Sequence, residues 1–179
     1  MIDDSSLNSL LLGVEKPARY VGGEYGSIRK ESSDFKMAIA FPDLYEIGMS
    51  NQALRIIYNS VNKAEGVSCE RVFAPAPDFE KALAEAKIPL FTLESRIPLY
   101  TLDLIGFTFG YELGISSLLS ILQSGQIPLR AKERNNKYPI IIMGGPAASN
   151  PMPFSPFIDA VWVGEAEQDF PPLLANLRN

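Results

Sequence analysis

A doubly wound α/β domain built on a mostly parallel, five-stranded sheet is expected from this sequence on three grounds. Short apolar runs without polar alternation, at residues 37–41 and 140–143, have the pattern of strands buried on both faces. Stretches with apolar residues at helical spacing separate such runs, which is the rhythm of βαβ units. Glycine or proline punctuates the ends of the runs, at Pro42, Gly144 and Gly164.

Taken in order, residues 1–34 read as a lead-in segment whose Gly22, Gly23 and Gly26 break any regular period, and the domain proper spans 35–179. A buried strand is expected over 36–41. A helix follows over 50–64, with the stripe Ala53, Leu54, Ile57, Tyr58 and Val61 and with Ser50 or Asn51 as cap. Residues 71–74 suit a second strand, and 78–87 a short helix with Asp78 as its N-cap. A brief extended run at 89–93 precedes a stronger strand over 102–109. An apolar-rich helix over 113–124 then ends at Gly125, where a helix C-terminal glycine belongs. The β-branched run 140–143, a proline-rich loop at 150–156, a last strand over 160–163 and a helical segment around 173–177 complete the series.

Composition excludes several classes of function. A length of 179 residues suits one domain with a sizeable core, and a net charge of −5 argues against an overall nucleic-acid-binding surface. No run approaches the roughly 18 apolar residues that cross a bilayer. Asp3 and Asp4 stand before a mere three leucines, the wrong charge and too short for a signal peptide, and a single cysteine fits a reducing cytoplasm, the location expected. Cys69 is the single cysteine and there is no histidine, so this chain alone builds no disulfide, iron–sulfur or zinc site. Cys69 reads as a free structural thiol. No carboxylates converge at a spacing that suits magnesium or calcium.

Sheets of this class bind ligands outside the carboxyl ends of their strands, where the winding direction reverses. Three chemically loaded loops fall at such ends: 43–48, 108–111 and 144–147. There is no G-x-G-x-x-G after the first strand and no Walker loop. Thr108 and Phe109 stand where a receiver-type domain needs an aspartate, and residues 42–45 are not a flavin phosphate loop. Each residue also has a purely structural reading. Asp43 caps the turn that follows it, Gly48 permits a tight backbone, and Gly144-Gly145-Pro146 punctuates a strand end.

The order of these motifs carries more than any one of them. The loop D-L-Y-E-I-G from Asp43, I-G-F-T-F-G from Ile105, M-G-G-P from Met143 and V-G-E-A-E from Val163 together resemble the cobalamin-binding domain. They resemble more closely the version that stands ahead of radical SAM catalytic domains. K-P-A-R-Y-V-G-G-E-Y from Lys16 and E-R-V-F-A-P from Glu70 are similar to one particular radical SAM family. The resemblance implies a Rossmann-like, flavodoxin-like topology. It makes Asp43 the residue that orients the lower cobalt ligand, Tyr45 the occupant of the ligand position and Gly48 the glycine of the turn. Thr108 matches the serine that faces the cofactor's nucleotide tail, and Gly144 and Gly145 the paired glycines along which that tail lies. Gly110 stands where the family has leucine.

Tyr45 replaces the family's histidine. Imidazole is a neutral ligand at pH 7, whereas a phenol ionises near pH 10, so tyrosine ligation of cobalt is rejected. Related enzymes hold cobalamin without a protein ligand, so the cofactor itself is not thereby excluded.

The expected function is that of an N-terminal accessory domain of a radical SAM protein: a degenerate cobalamin-binding-like module serving as scaffold or substrate-presenting domain. Phe109 and Tyr111 are expected to fill the former tail channel. One alternative is a working cobalamin-binding domain without a histidine ligand. A second is an independent, hydrolase-like α/β enzyme using Asp43 and Glu46 as acid and base. The resemblance implies a radical SAM domain downstream, with a 4Fe–4S cluster and S-adenosylmethionine there and not in this chain. The chain is therefore expected to be a piece of a longer polypeptide, incapable of radical chemistry alone. An apolar face left by the missing part would let two copies pair. Arg71, Arg96, Glu94 and Glu165 are expected to be solvated or structural.

Overall fold

The computed structural model describes residues 1–177. Five strands, β1 (Phe35–Phe41), β2 (Val67–Phe73), β3 (Leu104–Thr108), β4 (Ile140–Gly144) and β5 (Ala160–Val161), form one sheet in the order β2-β1-β3-β4-β5. Every pairing is parallel. The chain winds outward from β1 to β2, then returns past β1 to lay down β3, β4 and β5. The winding therefore reverses between β1 and β3, and the turns leaving those two strands flank the switch point. This is the doubly wound, flavodoxin-like topology expected.

Strand alternation sorts the core into two layers. Met37, Ile39, Leu104 and Ile142 face α3 (Gln52–Asn62) and α6 (Phe170–Leu177), against Leu54, Tyr58, Val61, Phe170 and Leu174. Ala38, Ala40, Ile105, Phe107, Ile141 and Met143 face the opposite layer. That layer holds α4 (Pro77–Ala86), α5 (Ile115–Ser124) and α1 (Asp4–Leu11) through Phe79, Leu83, Leu118, Ile121, Leu7 and Leu10.

Several elements differ from expectation for identifiable reasons. The lead-in contains α1, whose N-cap Asp3 accepts a hydrogen bond from the Ser6 N–H at 2.7 Å. Strand β2 begins at Val67, four residues earlier than expected, because Ser68, Cys69, Glu70 and Arg71 are all buried despite their polarity. Pro77 takes the first position of α4, so Ala76 rather than Asp78 is the cap; Asp78 instead accepts the Glu15 N–H at 2.8 Å. Gly125 ends α5 in ordinary helical geometry, and Gln126 carries the left-handed turn at φ +57°. Part of the loop 43–48 is helical, as α2 (Tyr45–Ser50). Strand β5 has only two residues. No helix among the described residues is long and apolar enough to cross a membrane.

Candidate functional site

The turns after β1, β3 and β4 lie along one edge of the sheet. The second and third are joined by backbone hydrogen bonds, Phe109 N–H to Gly144 O at 2.9 Å and Ala147 N–H to Phe109 O at 3.1 Å. Gly145 makes that junction possible. It sits at φ +89°, and a Cβ there would stand 2.7 Å from the Phe109 carbonyl oxygen. The first turn is tied to the end of β2 by the Ala74 N–H, which donates to Asp43 O at 2.9 Å. The Asp43 carboxylate accepts the Leu44 N–H at 2.7 Å, the capping role its position suggests. Gly48 lets α2 lie on Phe73, since a Cβ would meet that ring at 2.3 Å.

Two of the hollows along this edge gather the candidate residues. A rim hollow of about 380 Å³ brings together Asp43, Ile47, Thr108, Phe109, Gly110 and Tyr111. Gly110 leaves one wall open, with no atom within 4 Å of where its Cβ would be. Behind it, an apolar slot of about 150 Å³ lies between the sheet, α3 and α6, walled by Ile39, Ile57, Ile142, Trp162 and Phe170. Gly144, Gly145, Glu165 and Glu167 also line the slot. Thr108, the last residue of β3, borders both hollows. Phe109 and Tyr111 border the rim hollow and do not line the slot. Strand alternation sends Phe109 to the other layer, where it packs on Phe154 at 4.7 Å between ring centres, and Tyr111 stands exposed at the rim.

Tyr45 lines neither hollow. Its ring meets Phe73 edge-on at 5.4 Å, and its hydroxyl donates to Glu24 Oε1 at 2.8 Å. Burial, and then this hydrogen bond, push the phenol up to about 12. Glu46 is also engaged elsewhere: Arg19 pairs with it at 2.9 Å, Lys16 lies 3.6 Å away, and the Arg19 contact holds its carboxyl below the usual value. Asp43 and Glu46 therefore do not converge as an acid and base on either hollow.

A buried polar cluster behind the first turn was not foreseen. Arg71 Nη2 pairs with Glu24 Oε2 at 2.9 Å, its Nε meets Glu94 Oε1, and its backbone N–H donates to Glu94 Oε2 at 2.8 Å. The guanidinium also stacks over Tyr58 at 5.0 Å. Glu70 accepts from Thr92 and from the Ser95 N–H at 2.9 Å. The available signal was an adjacent Glu-Arg pair inside a strand that is otherwise uncharged. Arg71 and Glu94 are structural; Arg96 pairs with Asp4 near the surface. Cys69 is wholly buried, and burial pushes its thiol up, so it is unreactive.

A model of the N-terminal domain of radical SAM proteins matches residues 53–179. The chain belongs to that family. No curated protein matches it. In this radical SAM N-terminal domain the match takes in the second and third turns and both helices that wall the slot, and starts just after the first turn. No cluster of His, Cys, Asp and Glu that could hold a metal occurs among the described residues.

The residues fit a corrinoid poorly. The slot beside Gly144, at about 150 Å³, is half the lower bound of an ordinary ligand site, roughly 300 Å³, and the adjoining rim hollow, at about 380 Å³, is only just above it. The side chain in the ligand position is a protonated phenol held by Glu24. Gly145 is required by the Phe109 backbone irrespective of any bound tail.

Proposed function

We propose that this radical SAM N-terminal domain is an accessory module without catalysis of its own, a scaffold that docks through its sheet edge on a radical SAM domain of the same polypeptide and presents substrate to it. The 4Fe–4S cluster and S-adenosylmethionine belong to that downstream domain. The observation that carries this reading is the exposure of large apolar side chains on the turns and short helices of one edge. Ile47 is 52% exposed, Tyr111 56%, Leu113 79% and Val163 76%. Each stabilises an interface by up to about 1.5–3 kcal/mol when covered, so four on one rim form a docking surface.

The test is association in trans. The 179-residue chain and the downstream domain, purified separately, are expected to co-elute from a sizing column, and Leu113→Asp with Val163→Asp is expected to abolish this. Separate elution of the unaltered pair, or unchanged co-elution of the double variant, overturns the scaffold reading.

A corrinoid held without a protein ligand is the second reading. It is favoured by the position of the slot, which opens beside Thr108 and Gly144, where the resemblance puts the cofactor's tail. The slot's volume and the engagement of Tyr45 weigh against it.

A further inference from the structure

The slot between α3 and α6 has an apolar interior and a polar entrance. Ile39, Ile57, Ile142, Trp162 and Phe170 wall it, and Gly106 in the middle of β3 leaves its floor without a side chain. An added Cβ at Gly106 would find its nearest neighbour, Met37 Cε, at 3.6 Å, which is ordinary contact, so the floor holds spare room. A largely apolar cavity of about 150 Å³ is the size that takes one benzene ring.

The entrance carries one sign of charge. Glu165 and Glu167 line the slot, Asp43 lines the adjoining rim hollow, and no lysine or arginine lines either one. Among the described residues neither Glu165 nor Glu167 is ion-paired. The hydroxyl of Thr108 supplies an independent pointer. The residue is only 8% exposed, it borders both hollows, and among the described residues no group hydrogen-bonds its Oγ1. No side-chain polar atom is buried without a partner among the described residues, so this hydroxyl stays open to solvent or a ligand where slot and rim hollow meet, on the same lining as Glu165 and Glu167.

We propose that this slot binds an arylalkylamine. The ring enters between Ile39, Ile57, Ile142 and Phe170, and the ammonium remains at the entrance, donating to Thr108 Oγ1 and attracted by Glu165 and Glu167. An anion is repelled by the same carboxylates. This rests on the substrate-presenting reading above and gives its ligand a chemical class: a small aromatic primary amine, free or as the end of a larger substrate.

Trp162 is the sole tryptophan and forms a wall of the slot, so its fluorescence reports occupancy directly. The full chain is titrated at low salt with 2-phenylethylamine, 2-phenylethanol and phenylacetate. The amine is expected to give a saturable change and to bind about tenfold tighter than the alcohol, with phenylacetate weakest, because two exposed carboxylates contribute up to about fivefold each. Glu165→Gln with Glu167→Gln is expected to erase the preference of amine over alcohol. Gly106→Val fills the floor with a good strand residue and is expected to abolish binding of both. Ala53→Phe, a surface substitution on α3 beside the slot, does the same should Gly106→Val fail to fold. Equal affinity for amine and alcohol, persistence of binding in both blocking variants, or no saturable response to the amine each overturns the proposal. Hydroxocobalamin is run in parallel. Silence towards amine and corrinoid alike defeats this inference and leaves the scaffold standing, whereas retention of the corrinoid in the slot defeats both.

Discussion

The Tyr45 hydroxyl donates to Glu24 at 2.8 Å, and Glu24 in turn pairs with Arg71 at 2.9 Å. The residue that stands in the place of a cobalt ligand is thus fastened to the lead-in segment, and through it to the second strand. Its aromatic ring is held at the same time by Phe73. The first turn of the rim owes its position to this internal contact.

Tyr45→Phe keeps the ring against Phe73 and removes the hydroxyl. It is expected to lower unfolding stability by about 1 kcal/mol, the usual net worth of one hydrogen bond. Urea unfolding measures this. An unchanged midpoint would show that the Glu24 contact contributes nothing.

Glu24 predicts a particular acid limb. Burial raises its pKa, but its own backbone N–H, the Tyr45 hydroxyl and Arg71 outweigh burial and hold the carboxyl below the usual 4.5. A carboxyl depressed in the folded state adds stability that is fully present above the unfolded value and is lost as pH falls through the folded one. Melting temperature should therefore fall below about pH 4.5, and more steeply in the unaltered chain than in Glu24→Gln. Parallel acid limbs in the two proteins would refute the assignment.

The Arg71–Glu94 pair is the most costly to break. The Glu94 side chain is fully buried and satisfies both the backbone and the guanidinium of Arg71. Glu94→Ala leaves a buried cation with Glu24 as its remaining anion, and a loss of about 3–5 kcal/mol is expected from chemical denaturation. A loss below about 1 kcal/mol would mean that the cluster reorganises freely.

The paired glycines should differ sharply. Gly145→Ala forces a left-handed backbone on alanine and drives its Cβ onto the Phe109 carbonyl, costing about 1–3 kcal/mol. Gly144→Ala meets its nearest atom, in Trp162, at 3.7 Å and should stay within about 1 kcal/mol of the parent. Thermal unfolding of both variants decides the matter; equal losses would contradict the geometry.

The sheet was readable wherever a strand was apolar throughout. Residues 140–143 carry the pattern unaided, as do 36–41. Strand β2 was only half legible, because Glu70 and Arg71 are satisfied by Thr92, Ser95 and Glu94, more than twenty residues along the chain. No local pattern reports such partners. The rim itself was legible, since it follows from parallel strands and their order. The direction of Tyr45 was not, because it depends on Glu24 in a segment that looked irregular. Phe109 is different: its two-residue spacing from Phe107 and Ile105 puts it in the far layer on strand alternation alone. The slot arises from α3 and α6 meeting over Gly106, a long-range juxtaposition that only the fold displays.

Internal contacts shape this edge, and no corrinoid is expected to bind it. The direct measurement is to mix the purified chain with excess hydroxocobalamin, pass it over a desalting column and read the corrin absorbance in the protein fraction. Colourless protein is expected, both for the unaltered chain and for Tyr45→His, since a new imidazole does not enlarge the slot. Co-elution of one corrinoid per chain without any substitution would contradict the account.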